Sequence, residues 1–191
     1  RRPTARGILG APQIAAGKRV LGWHPYWATS SDLANYQFSN LTHLAFFSYE
    51  VNPANGEVLR RRPMAKNVFA EGITLFNNEL WVLTWKENTV YVFEPDTFKF
   101  LRTHTYQGEG WGLTNDGAQF IMSDGTSTLK FIDPKDFTVK KSLTVKDGSR
   151  EIDQLNELEY TDGAIYANIY MEDRIARISA ETGKVTGWLD L

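Results

Sequence analysis

Three stretches of this chain run in parallel, and that repeat restricts the fold more than any other feature. "GITLFNNELWVLTWKENTVYVFEPDTFKFLRTHTY" (72–106), "GLTNDGAQFIMSDGTSTLKFIDPKDFTVKKSLTV" (112–145) and "LEYTDGAIYANIYMEDRIARISAETGKVTGWLDL" (158–191) align over their full length. Trp81, Phe120 and Tyr166 fall in register, with steps of 39 and 46 residues, and the turns "EPDTFK", "DPKDFT" and "SAETGK" coincide. Each unit carries short runs of β-branched and aromatic residues, such as "ELWVLTW", "TVYVFE", "TLKFID" and "RIARIS". Turn pairs separate them: Asn77-Asn78, Glu87-Asn88, Asp116-Gly117, Asp162-Gly163 and Thr182-Gly183. No sustained 3.6-residue apolar period interrupts this pattern, so the region reads as all-β. Four antiparallel strands about every 40 residues is the pattern of a β-propeller blade. Three such blades do not close a ring, which leaves open sheet edges through which a second copy can pair.

The first 60 residues follow a different grammar. "KRVLGWHPYWA" predicts a short strand ending in aromatics, and "LTHLAFFSYEV" predicts a second strand after a helix-like or irregular stretch. Strand, crossover, strand is the start of a parallel α/β arrangement. The predicted organisation is therefore a short α/β segment over 1–62 and propeller blades over 63–191.

Composition narrows the function classes. The 191 residues are 42% hydrophobic and 23% charged with net charge −2, ordinary for a globular chain with a core. The only basic run is "LRRRP" (59–63), too short to argue for nucleic acid. Without cysteine, thiol catalysis, disulfides and cysteine–zinc sites are excluded, which suits either the cytoplasm or a periplasm. No apolar run reaches the roughly 18 residues of a membrane span. The chain begins at Arg1 without a signal-peptide core, which reads as a processed product or a fragment. His24, His43 and His104 have no metal-ligand spacing.

Two resemblances add to this reading. "FAEGIT", "LWVLTWK", "GEGWGLTNDG", "IMSDGTSTLKFIDP", "LNELEY", "IYANIYMEDRIARIS" and "TGKVTGWLDL" closely resemble the propeller-type glutaminyl-peptide cyclotransferases of bacteria and plants. That resemblance covers residues of about 67 to 191. It implies a five-bladed propeller, a periplasmic or secreted setting, and peptides with an N-terminal glutamine as substrates. The implied reaction closes that glutamine to pyroglutamate with loss of ammonia, using neither metal nor cofactor. "VLGWHPYW", "YQFSNLTHLAFFSYEV" and "NPANGEV" resemble the opening of a chitinase-type, family-eighteen glycoside hydrolase barrel, without that family's alternating-aspartate acid signature. A non-catalytic binding propeller and a carbohydrate-binding remnant of such a hydrolase stand as the alternative functions.

Cyclising glutamine needs one carboxylate that takes a proton from the attacking amine and returns it to the leaving ammonia. Burial among aromatic rings raises such a carboxylate toward neutral pKa. Rigid aromatic walls reduce the entropy lost when the side chain curls into a ring. Amide or indole N–H groups can stabilise charge on the amide oxygen. By resemblance Glu71 in "FAEGIT" is the catalytic acid/base; the plainer reading is a carboxylate capping a strand-start turn. Phe69, Trp85 in "LTWK", Trp111 in "GEGWGL", Asn156 in "LNELEY" and Tyr170 in "ANIYMED" match the substrate pocket, against plain packing or turn-capping roles. Tyr170 stands where the family more often has tryptophan. The alignment puts Trp111 level with Gly72-Ile73, and Glu109 and Glu157 near-level with Glu71. Three carboxylates at one mouth would raise one another's pKa values, or could equally be paired with Lys86, Arg174 or backbone N–H groups; both glutamates read as structural or as supports behind the pocket residues. A first-blade Phe-Thr-Gln-Gly-type motif of the family, which contributes an aromatic and a glutamine to the pocket, has no counterpart before Asn67, so an impaired activity is expected.

Overall fold

A computed structural model describes residues 21–24, 43–46, 49–51 and 58–190. The chain divides into two compact units, Arg1–Met64 and Ala65–Leu191. In the first, β1 (Leu21–His24), β2 (His43–Phe46), β3 (Tyr49–Val51) and β4 (Val58–Arg61) form one sheet in that order. β1 and β2 pair in parallel, as strand, crossover, strand requires. The connection, residues 25–42, lies outside the described residues, as do most carriers of the glycoside hydrolase resemblance. "LTHLAFFSYEV" does not form one strand: β2 and β3 pair antiparallel with Phe46 opposite Tyr49, so the chain reverses in between. A two-residue link is the shortest common hairpin connection.

The second unit holds three four-stranded meanders, as the repeat predicts. They are β5 (Ala70–Phe76) to β8 (Phe100–Thr105), β9 (Leu113–Asn115) to β12 (Val139–Thr144), and β15 (Leu155–Thr161) to β18 (Val185–Asp190). Within them lie β6 (Glu79–Thr84), β7 (Thr89–Phe93), β10 (Phe120–Met122), β11 (Thr128–Ile132), β16 (Ala164–Ile169) and β17 (Arg174–Ser179). The inner strands β5, β9 and β15 lie side by side across successive sheets. The outer strands β8 and β12 are mostly exposed. A small hairpin, β13 (Lys146–Asp147) and β14 (Arg150–Glu151), is inserted between the second and third sheets. That insertion accounts for the longer second step of the repeat.

Turn chemistry sets this geometry. Asn77 and Asn78 (φ 49° and 60°), and Asp162 and Gly163 (φ 49° and 76°), close their hairpins with two residues of positive φ, the type I′ pattern that matches strand twist. The third turn of each blade repeats one bond: Glu94 N–H to Lys99 O, Asp133 N–H to Thr138 O, and Ser179 N–H to Lys184 O, at 2.8–2.9 Å. Phe98, Phe137 and Gly183 take positive φ at the same place in the three turns.

The ladders correct one alignment. Trp81 pairs with Val92, Ile121 with Phe131 and Tyr166 with Arg177, so Ile121, not Phe120, is the counterpart of Trp81. A one-residue slip moves a side chain to the other face of a sheet. Phe120 accordingly faces back toward the first blade, where its ring meets Trp81 at 4.6 Å between centroids. Ile121 faces forward into the second cluster, with Leu129, Phe131, Leu155, Leu158 and Ile165. β10 is buried on both sides, so its Phe-Ile-Met run has no polar alternation to reveal its register.

On the outer edge Arg102 makes a two-pronged pair with Glu79, both bonds 2.6 Å, and its guanidinium lies over the Trp81 ring. The pair is open to solvent, so Arg102→Ala is expected to lower stability by only about 0.5–1 kcal/mol. A thermal melt in low and high salt checks this, since the difference should shrink as salt rises.

Candidate active site

Phe69, Glu71, Trp111 and Asn156 lie on or just before the inner strands, where the ladders are irregular, and Trp85 and Tyr170 follow the second strands β6 and β16. In β5, Ala70 pairs with Thr84 and Ile73 with Val82, so Glu71 and Gly72 share the space opposite Leu83. In β15, Leu155 pairs with Ile169 and Leu158 with Ala167, so Asn156 and Glu157 share the space opposite Asn168. In the second blade Trp111 and Gly112 both bond the backbone of Ser123, at 3.0 Å each. Such two-against-one bulges bend a strand and re-aim side chains. Glu71, Trp111 and Asn156 are therefore the same position in three successive blades. This corrects the alignment of Trp111 with Gly72-Ile73. It also corrects that of Glu109 and Glu157 with Glu71: Glu109 is level with Phe69, and Glu157 with Gly72.

Close approach between blades explains the glycines. A Cβ on Gly112 would lie 2.2 Å from Asn156 O, and one on Gly72 would lie 2.6 Å from Leu113 N. Trp85, Gly125 and Tyr170 are likewise one position in three blades. In the middle blade Gly125 (φ +80°) leaves the space filled by the Trp111 ring, whose atoms would lie 2.6 Å from a Cβ there.

The aromatic candidates form one connected wall. Phe69 meets Trp85 edge-on at 5.8 Å, and Trp111 meets Tyr170 edge-on at 5.5 Å. Glu109 joins the two pairs: its Oε2 accepts from Trp85 Nε1 at 2.8 Å and from Trp111 Nε1 at 2.9 Å. Lys86 Nζ lies 3.5 Å from Glu109 Oε1 and 3.8 Å from the centre of the Trp85 ring. Hydrogen bonds from the two indoles, then the Lys86 charge, hold the Glu109 carboxyl below its usual range. Both indole N–H groups are thus turned to this carboxylate. The signal was present only as Glu-x-Trp spacing, since residues two apart share one side of an extended chain. Ser123, also missed, is fully buried; its hydroxyl accepts from Gly112 N–H at 2.7 Å and donates to Asn156 O at 2.6 Å.

Glu71 Oε2 is buried with no hydrogen-bond partner among the described residues. Burial raises this carboxyl from 4.5 to about 7. Glu157 is pushed well above its ordinary value too, by burial first and then by the charge of Glu159. A hydrogen bond from Leu113 N–H opposes that rise, and the Glu71 charge adds to it. The Tyr106 hydroxyl donates to Thr84 O, and burial takes its pKa up to about 12. Among the described residues no cluster of three histidine or carboxylate side chains is suited to a metal ion. No helix among them is long and apolar enough to cross a membrane.

Repeated four-stranded meanders, with a half-buried acid and an aromatic wall near the start of their inner strands, define a propeller-like protein. A sequence model of the glutamine cyclotransferase family matches residues 39–191, and this chain belongs to that family. The match begins inside the stretch that resembles a glycoside hydrolase. The glutaminyl-peptide cyclotransferase of Arabidopsis thaliana is 35% identical over 141 residues, 73% of this chain and 44% of that protein. The crystal structure of Myxococcus xanthus glutaminyl cyclase is similar with a TM-score of 0.71 and 31% identity, over 74% of this chain and 61% of that one. The chain thus spans less than two thirds of either relative.

Proposed function

We propose that this chain cyclises an N-terminal glutamine of a peptide to pyroglutamate and releases ammonia, with Glu71 as acid and base. The observation that carries this reading is the Glu71 carboxyl, whose Oε2 is buried with no hydrogen-bond partner among the described residues and whose pKa is raised to about 7. A free α-amine titrates at about 7.7–8.0, so proton exchange between the two is nearly balanced in both directions. The neutral amine attacks the side-chain amide carbon and forms the ring C–N bond. Glu71 takes the proton that the amine nitrogen sheds and delivers it to the amide nitrogen. The old C–N bond then breaks and ammonia departs. Phe69, Trp85, Trp111 and Tyr170 wall the glutamine side chain, and Asn156 offers its amide to the peptide. An exported location, periplasmic or secreted, goes with this reading and is checked by cell fractionation.

The test is ammonia release from a glutaminyl-glycine peptide by the 191-residue chain. Binding of the peptide with no ammonia formed would replace the enzyme with the binding propeller. Glu71 must be ionised to take the proton. Its ionised fraction grows as pH rises through about 7. Accordingly kcat is expected to fall by about tenfold per pH unit below 7 and to level off above 8. A pH–rate profile flat between 5 and 8 contradicts the assignment.

A further inference from the structure

The geometry points to Glu109 as a positioning residue that holds the two tryptophan walls of the pocket in place. This rests on the cyclisation reading above and extends it to a residue outside the predicted pocket. One oxygen, Oε2, receives both indole N–H groups, from Trp85 at 2.8 Å and Trp111 at 2.9 Å. Trp85 follows β6 of the first blade and Trp111 precedes β9 of the second, so this carboxylate ties two blades at the pocket. Backbone bonds run beside it: Gly110 N–H donates to Trp85 O at 2.9 Å, and Trp85 N–H to Phe69 O at 2.9 Å. Lys86 completes the clamp, its ammonium against Glu109 Oε1 and against the face of Trp85. The Glu109 side chain is 41% exposed. Burial therefore does not account for its presence; its bonds to the indoles do.

Two consequences follow from the direction of the N–H groups. The indoles act as walls, since the one donor on each ring is already committed. Losing Glu109 frees two large rings to rotate, which loosens the pocket around a flexible glutamine side chain and weakens its binding before its chemistry. Glutamine in place of Glu109 keeps a carbonyl oxygen able to accept both N–H groups while losing the pairing with Lys86.

The experiment is indole 15N–1H spectroscopy of the full chain together with steady-state kinetics on a glutaminyl-glycine peptide, for wild type, Glu109→Ala and Glu109→Gln. Trp85→Phe and Trp111→Phe assign the two signals. In Glu109→Ala both signals are expected to move and to exchange faster with water. Trp188, bonded to Asp147 at 3.0 Å, and the buried Trp81 should stay in place. KM is expected to rise about tenfold with kcat within about threefold, and Glu109→Gln to restore both readouts most of the way. Unmoved indole signals in Glu109→Ala overturn the clamp. Moved signals with an unchanged KM overturn its role in the pocket. Should wild type release no ammonia, the cyclisation reading falls by itself, and the indole signals still decide the clamp. If Glu109→Ala does not fold, Glu109→Gln decides instead: indole signals that shift modestly but stay protected support the clamp, and signals identical to wild type overturn it.

Discussion

Glu71→Gln is expected to abolish nearly all ammonia release, with kcat falling by about 10²–10⁴, while the protein becomes more stable at alkaline pH. Both effects come from one fact. The Glu71 carboxyl titrates at about 7 in the folded chain, against an ordinary 4.5. Between those values the folded state holds a proton that the unfolded chain has released. Stability relative to a neutral side chain is therefore full below pH 4.5 and is lost as pH rises through 7. One pKa unit corresponds to about 1.4 kcal/mol, which sets a ceiling of about 3 kcal/mol on the destabilisation at pH 8. Solvent reaching the half-buried side chain screens part of it, leaving about 2 kcal/mol. The neutral amide of the variant carries no such charge. The stability difference between variant and wild type should thus grow from pH 4 to pH 8, as read by urea unfolding at each pH. A variant with wild-type kcat removes Glu71 from the chemistry; a difference that stays flat with pH removes the buried charge.

Gly112→Ala is expected to be the most damaging small substitution for the fold. Its Cβ would stand 2.2 Å from Asn156 O, 2.8 Å from Glu157 Cα and 2.9 Å from Ser123 Oγ. Two of those atoms are backbone of the third blade, and the third is a fully buried hydroxyl bonded on both sides. None swings aside like the tip of a long side chain, so the blades must part. A cost of about 3 kcal/mol or more follows, the upper end for overpacking a tight contact. Ser123→Ala removes the hydroxyl bridge without adding bulk, and about 1 kcal/mol is expected for it. Urea midpoints measure both; a Gly112→Ala chain unfolding at the wild-type midpoint would refute the contact.

The blades were legible because their turns and strands speak the same language. Asn77-Asn78, Asp162-Gly163 and the three "EPDTFK"-like turns announce where the chain reverses, and the β-branched runs between them have no rival reading. Registers were legible only where one face of a strand is polar. Trp81 and Phe120 look alike in sequence, yet they meet from opposite faces of neighbouring blades, and nothing in a strand buried on both sides signals this. Glu71 stood out as an acid at a strand start, but the bulge beneath it did not: Glu-Gly reads as a turn until its ladder is traced. Glu109 was hidden for another reason. Its link to Trp85 spans 24 residues and depends on two blades being packed together. A single blade's sequence cannot display a bond made between blades.

The shared bulge position of Glu71, Trp111 and Asn156 has a consequence for how such a pocket changes over generations. One locus in a duplicated unit supplies an acid in the first copy, an aromatic plate in the second and an amide in the third. Three codons, each read at the same place in its own copy, set much of the inventory of the pocket proposed above, while the scaffold around them is held by other positions. Retuning the chemistry therefore requires no new loop and no new fold. Losing or gaining a whole copy, by contrast, deletes or adds one complete tool.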